Sequence, residues 1–214
     1  MTDIVIPKAQ TVFRNGQVFD FDHPTSSVMT PAFFGYGLKR INRWNGHASL
    51  GSRWLNINPN QFITISEEEE EYANPMTDLH HSFLVYLIVK DLWPDDEMLH
   101  LAALIHDACE VIYGDIIGPI KKRLASIIKP IEHKIEGLMA QRYGCPYPWD
   151  KRIKYADLLA QDIEGYLCFS KSVIGVNVRD DSLPTLKYEK MFWEAYTYSC
   201  KYFISLLAKY DKMG

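Results

Sequence analysis

The sequence predicts an all-α helical bundle carrying a small β-hairpin at its N-terminal end, on three observations. Apolar residues recur at helical spacing through most of the chain from Thr77 onward. Asn15-Gly16 splits residues 11–21, TVFRNGQVFDF, into two short β-forming runs, the pattern of a tight hairpin turn. No internal repeat or low-complexity linker divides the 214 residues, so one domain is expected, with residues 1–30 as hairpin and N-terminal extension and residues 31–214 as helical core.

Thr30-Pro31 reads as a helix cap with proline in the first turn, opening an apolar stretch that runs to Trp44 before Asn45-Gly46 stops it. Residues 48–74 are irregular apart from a short strand at 61–65, and the acidic run 67–71 reads as a solvated loop or helix end. Thr77 or Asp78 caps the first core helix, which continues through Val89 and stops at Pro94. Asp95-Asp96-Glu97 places acidic residues in a new first turn, and the following helix covers residues 101–113 up to Gly114. A further helix is expected over residues 130–144, with Pro130 at its start and Gly144 just past its end. Two more cover residues 149–171 and 185–212.

Composition narrows the function. A net charge of -4 and a pI near 6.0 argue against sequence-independent binding to long nucleic acid, which needs a broad basic surface, but are compatible with a small anion site. No segment offers the roughly 18 uninterrupted apolar residues of a membrane span, and the opening MTDIVIP lacks the pattern of a secretory signal. A cytoplasmic setting is therefore expected. Cys109, Cys145, Cys168 and Cys200 are dispersed without CxxC spacing and read as reduced thiols.

The segment that carries chemistry is residues 101–122, LAALIHDACEVIYGDIIGPIKK, where His106, Asp107 and Glu110 interrupt an apolar helix. Charged groups are costly to bury unpaired. Neighbouring helical residues differ by about 100° in direction, so His106 and Asp107 can both reach one ion, with Glu110 one turn further on the same side. Two ligands do not close a site. His81, in TDLHHSFLVYLIV, and Asp157, in KYADLLAQDIEGYL, are the partners from other helices. Two imidazoles and two carboxylates suit one borderline divalent ion such as Mn, Fe, Co, Ni or Zn, with positions left for water or phosphate. Such an ion acidifies water and polarises a phosphoryl group, while Glu110 handles a proton.

His81, His106-Asp107 and Asp157 together reproduce the H, HD, D signature of the HD-domain phosphohydrolases, which the chain resembles. His106 to Lys121, HDACEVIYGDIIGPIK, is similar to the HDxxExxxGDxxxPxK segment of the YfbR-like 5'-nucleotidases, and Ile41-Asn42-Arg43-Trp44 to their INRW stretch. The resemblance implies that Arg43 holds phosphate, Trp44 packs on sugar or base, Glu110 is the catalytic acid or base, and Asp115 contacts the sugar or orients the site. It also implies a homo-oligomer. The N-terminal part resembles a branch of the same superfamily found in phages and prophages, through Asn15-Gly16-Gln17-Val18-Phe19-Asp20, Arg43-Trp44-Asn45-Gly46-His47 and His81-Ser82. The stretch between Gly46 and His81 is longer than in the compact nucleotidases, at a place where substrate length and base would be read.

Each candidate has a plainer reading. His80 is the rival to His81, although the family motif places Ser after the ligand. Trp44 is either a site residue or a core aromatic, and His47 a substrate contact or a turn histidine. Lys121, Lys122 and Arg123 are either a phosphate clamp or a solvated basic face. Asp162 and Glu164 are expected to face solvent or a partner, and His100 and His133 to be structural or surface residues. The leading expectation is phosphate release from deoxynucleoside 5'-monophosphates. The alternatives are a dATPase-like deoxynucleoside triphosphohydrolase, whose longer phosphate tail the basic residues 121–123 would suit, and a non-catalytic nucleotide sensor.

Overall fold

The computed structural model describes residues 10–13, 17–43, 76–116, 118–168 and 186–213. Within them the chain is mostly helical, with one two-stranded antiparallel sheet near the N-terminus. β1 (Gln10–Val12) pairs with β2 (Val18–Asp20) in the register Gln10 to Asp20 and Val12 to Val18. Phe19 turns into the core while Val18 stays exposed, the alternation a half-buried strand requires. The Asn15-Gly16 turn, the strand expected at 61–65 and the acidic run 67–71 lie outside the described residues, as do Trp44 and His47.

α1 (Pro31–Leu38) starts as expected, with the Thr30 hydroxyl accepting the Phe33 N–H at 3.1 Å. It ends six residues short of Trp44, because the chain leaves the helix to pair with the segment before the next one. The Arg43 N–H donates to Met76 O at 2.8 Å, the Asp78 N–H donates to Ile41 O at 2.9 Å, and Asn42 bridges Thr77 antiparallel. This pairing carries Arg43 to the N-terminus of α2 (Asp78–Leu92). There Thr77 is the cap, and its own N–H donates to Nδ1 of His80 at 3.1 Å.

α2 is the central helix, buried on most sides by His81, Ser82, Phe83, Leu84, Ile88 and their neighbours. α3 (Glu97–Ile105) packs on it, with Asp96 accepting the Leu99 N–H at 3.0 Å as N-cap. The helix expected over residues 101–113 is not continuous. It breaks after Ile105, passes through a tight turn at residues 106–109, and resumes as α4 (Glu110–Tyr113). The turn uses i to i−3 hydrogen bonds, Ala108 N to Ile105 O and Glu110 N to Asp107 O, and the His106 ring takes the Ala103 carbonyl for itself. Gly37 permits α4 to approach α1, since a Cβ there would sit 2.2 Å from the Val111 side chain.

α5 (Gly118–Arg123) leads into α6 (Ala125–Tyr143), which starts five residues before the expected Pro130 and carries that proline in its second turn. A proline so near a helix start removes only one ladder bond. Gly144, at φ 75°, closes the helix where expected. α7 (Lys151–Cys168) packs against α2 and α3, and α8 (Leu186–Thr197) against α2 and α7. The single helix expected over residues 185–212 is two. Ser199 accepts the Tyr202 N–H at 3.2 Å and starts α9 (Cys200–Ala208) in a new direction, against α1. One cluster of buried apolar residues runs from Phe19 through Phe34, Phe83 and Ile105 to Ile163 and Phe203. No helix among the described residues is long and apolar enough to cross a membrane, and the four cysteines are free thiols.

Candidate metal centre

Three elements deliver the four predicted ligands to one point: α2 carries His81, the turn after α3 carries His106 and Asp107, and α7 carries Asp157. His81 Nε2 lies 3.2 Å from Asp157 Oδ1 and 3.5 Å from Asp107 Oδ2, and His106 Nε2 lies 3.2 Å from the same Asp107 oxygen. Donors bound about 2.1 Å from one ion sit roughly 3 to 3.5 Å from each other. His81 is 0% exposed, and neither histidine's Nε2 has a hydrogen-bond partner. Buried, convergent and facing carboxylate oxygens without an aligned hydrogen bond, these two nitrogens fit a metal ion.

Both rings are held in the tautomer that a ligand needs. His106 Nδ1 lies 2.8 Å from Ala103 O, which can only accept, so Nδ1 carries the hydrogen and Nε2 keeps its lone pair when the ring is neutral. His81 Nδ1 lies 2.5 Å from Glu164 Oε1, a carboxylate to imidazole contact of the kind that orients metal-bound histidines. The expectation that Glu164 faces solvent or a partner is therefore overturned: it is 0% exposed and its second oxygen lies 3.5 Å from Arg43 Nη2. The reason was legible in spacing. Glu164 follows Asp157 by seven residues, two helical turns, on the face that also buries Ala160, Ile163 and Leu167.

Charge balance in the cluster is also suited to a dication. Burial and the nearby Arg43 charge push the His81 imidazole down, but Glu164 and Asp157 outweigh them and hold it at about 10. Burial opposes the charged form of His106, and Asp107 more than offsets that, so its pKa is raised too. Asp107 and Asp157, which burial alone would raise, are held below the usual carboxylate range by the two histidines. Two imidazolium protons and two carboxylates sum to zero, as do one dication, two neutral imidazoles and two carboxylates. The cluster of His81, His106, Asp107 and Asp157 has the donor set and spacing to hold a metal ion.

A cleft of about 370 Å³ opens beside this cluster, lined by Arg43, Asp107, Glu110, Asp115, Lys121 and Lys154, among others. Arg43 is buried and faces three carboxylates, Nη1 standing 3.6 Å from Asp78 and 3.9 Å from Asp107. Burial works against its charge, but Glu164, Asp107 and Asp78 keep it protonated. Glu110 is pushed well above the usual carboxyl range by burial and by Asp107 and Asp78, and its Oε2 has no hydrogen-bond partner. Asp78, raised to about 7 by burial against the pull of Arg43, joins Glu110 and Asp115 in a second group of convergent carboxylates.

The remaining candidates divide. Lys121 reaches the cleft but stands between Glu132, at 2.7 Å, and Glu110, at 3.3 Å. Lys122 and Arg123 are exposed and do not line the cleft. His80 faces away from the ligands as part of the α2 cap, and burial lowers it to about 4, in keeping with its acceptor role. His100 bonds the Trp93 carbonyl and the exposed His133 pairs with Tyr147, so both are structural or surface groups. Two cleft residues were missed in the sequence, Lys154 at 2.6 Å from Asp157 Oδ2 and Gln161, which donates to Oδ1 at 2.7 Å. They lie three residues before and four after Asp157, the spacing of one helix face.

The structure thus defines a helical protein with a buried His/Asp cluster suited to a metal ion, open to a polar cleft. Among known proteins, no family model matches the chain. It is 26% identical to an uncharacterised protein of Rhodobacter capsulatus over 155 residues, covering 70% of this chain and 68% of that protein. It is 42% identical over 57 residues to the uncharacterised protein YfdR of Escherichia coli K12, a match covering 27% of this chain and 32% of YfdR.

Proposed function

We propose that this chain is a metal-dependent phosphohydrolase of the HD-domain type, releasing phosphate from deoxynucleoside 5'-monophosphates. The observation that carries the reading is the convergence of two buried, unpartnered imidazole nitrogens with two carboxylates at the wall of a cleft whose rim holds Arg43, Lys121 and Lys154.

His81, His106, Asp107 and Asp157 would hold one divalent ion of the Mn, Fe, Co, Ni or Zn group. When bound, the ion supplies Lewis acidity toward water and a phosphoryl oxygen. Glu164 holds the His81 ring in place, and Ala103 O holds His106. Arg43 and Lys154 bring positive charge to the substrate phosphate; Arg43, always protonated, is suited to bidentate capture. Glu110, whose carboxyl lines the same cleft, handles the proton of the attacking water or of the leaving oxygen. Asp115, on the cleft wall, would contact the sugar or orient the site.

The test is product identification after incubating the metal-loaded chain with the deoxynucleoside mono- and triphosphates in parallel. Inorganic phosphate and nucleoside from the monophosphates support the proposal. Triphosphate release from one dNTP would replace it with the triphosphohydrolase reading, and no turnover with any of the five metals would leave a nucleotide sensor.

A further inference from the structure

Beside the His/Asp cluster lies a second group of donors of different chemistry. Asp78, at the first position of α2, Glu110, at the first position of α4, and Asp115 each bring a carboxylate oxygen to one place, all within 4.8 Å of one another. Acidic clusters on protein surfaces are common and mean little. This one is not on the surface: Asp78 is 0% and Glu110 3% exposed. Neither carboxylate oxygen of Asp78 has a hydrogen-bond partner, and neither does Oε2 of Glu110.

The cations nearby do not fill that role. Arg43 Nη1 stands 3.6 Å from Asp78, close enough to offset charge and too far to donate a hydrogen bond. Lys121 reaches only the other oxygen of Glu110, at 3.3 Å, and is held more closely by Glu132. Buried carboxylate oxygens in native proteins are paired or bind metal.

We propose that Asp78, Glu110 and Asp115 form a second divalent-cation site, selective for a hard ion such as Mg²⁺ or Mn²⁺. The donors are all oxygen, which suits Mg²⁺ with waters completing its shell, whereas the imidazoles of the first cluster disfavour it. The two sites meet at Arg43, whose Nη1 lies between Asp78 and Asp107. On the phosphohydrolase reading the second ion does two things. It offsets the charge of a phosphate entering a cleft lined by four carboxylates, and it keeps Glu110 ionised. One oxygen of Glu110 then binds the ion while the other accepts a proton.

The site is independent of which nucleotide the chain acts on, and its test uses none. Chelator-stripped full-length protein is dialysed against Mn²⁺, bound ions per chain are counted, and excess Mg²⁺ is then added. The wild type should hold two Mn²⁺, of which Mg²⁺ displaces one. Asp115→Asn, at a partly exposed position that tolerates the change, should hold one that Mg²⁺ does not displace, and Asp78→Asn should repeat this. His106→Ala should hold one that Mg²⁺ does displace. A wild-type count of one that resists Mg²⁺, or a second ion retained in Asp115→Asn, overturns the proposal. A wild-type count of one that Mg²⁺ removes supports the oxygen site and overturns the imidazole centre instead.

Discussion

Glu164 Oε1 lies 2.5 Å from Nδ1 of His81, across 83 residues of sequence, and both side chains are fully buried. The contact ties α7 to α2 at the point where the ion would bind, and the other oxygen of Glu164 faces Arg43 at 3.5 Å. One carboxylate thus sets the orientation of a candidate ligand and of the cation at the cleft rim. Glu164→Gln keeps the size and removes the charge, so metal affinity should fall by roughly 10- to 100-fold, the usual cost of losing such an outer partner. Competition with a fluorescent chelator measures it; wild-type affinity in this variant would remove Glu164 from the site.

Metal binding should release protons. Without an ion, His81 is held at about 10 and so is protonated at pH 7, and the neighbouring carboxylates hold His106 above its ordinary value, so an ion taking the two Nε2 atoms displaces protons. Apparent affinity should rise with pH across the range 6 to 9. In the ion-free chain, the raised His81 value contributes stability that is complete below about 6.5 and is lost as pH rises through about 10. Calorimetry in buffers of different ionisation enthalpy counts the protons, and zero release would contradict the assignment of these rings as ligands.

Asp107→Ala should abolish both ion retention at the imidazole centre and hydrolysis. Glu110→Gln should keep the ion of the imidazole centre and lose about 10²- to 10⁴-fold in rate, the range for removing a proton-transfer group. Elemental analysis and phosphate release read the two properties separately. Full activity in either variant sinks the mechanism.

Ion binding should stabilise the fold, because the ligands come from three elements that only the folded chain brings together. At an ion concentration one hundred times Kd the gain is about 2.7 kcal/mol, or roughly 5 to 10 °C in Tm for a chain of this size. Thermal melts with Mn²⁺ and with chelator check it, and identical melting curves would argue against a centre in the folded state.

A separate prediction concerns the C-terminal end. Arg142 makes a bidentate pair with Asp211, Nε to Oδ1 at 2.9 Å and Nη2 to Oδ2 at 2.7 Å, both side chains buried. Although burial raises it, Asp211 is held below the usual carboxylate value by Arg142. Its contribution is therefore complete above the unfolded value near 3.8 and is lost as pH falls through the lower folded value. Asp211→Asn should cost about 1 to 3 kcal/mol at pH 7, since Arg142 loses its charged partner while keeping its bond to Ser26 O at 2.6 Å. Urea unfolding of the two proteins should show that gap narrowing at pH 2 to 3; a gap independent of pH would mean the loss is one of packing.

The sequence showed its elements best where local signals act alone. Thr30-Pro31 capped α1, Pro94 lay just beyond α2, and Gly144 ended α6, all as read, because caps and breakers work through the backbone of a few adjacent residues. The misses share one cause. α1 stops at Leu38 because Ile41 and Arg43 pair with Asp78 and Met76. The long helices expected at 101–113 and 185–212 break where a side chain, His106 or Ser199, bonds to backbone. Helical periodicity cannot reveal such competition, since the apolar pattern continues through the break.

The site divides the same way. The residue types and spacings of His81, His106, Asp107 and Asp157 were in the sequence, and they suffice to nominate ligands because few other roles require two imidazoles and two carboxylates inside apolar helices. Which nitrogen each ring presents, the burial of Glu164, the confinement of Lys121 between Glu110 and Glu132, and the meeting of Asp78 with Glu110 and Asp115 were decided by tertiary structure alone. Ligand identity follows from side-chain chemistry, which the sequence determines. Protonation, orientation and convergence depend on groups that touch only after α2, α4 and α7 have packed, and no local stretch of sequence encodes those distances.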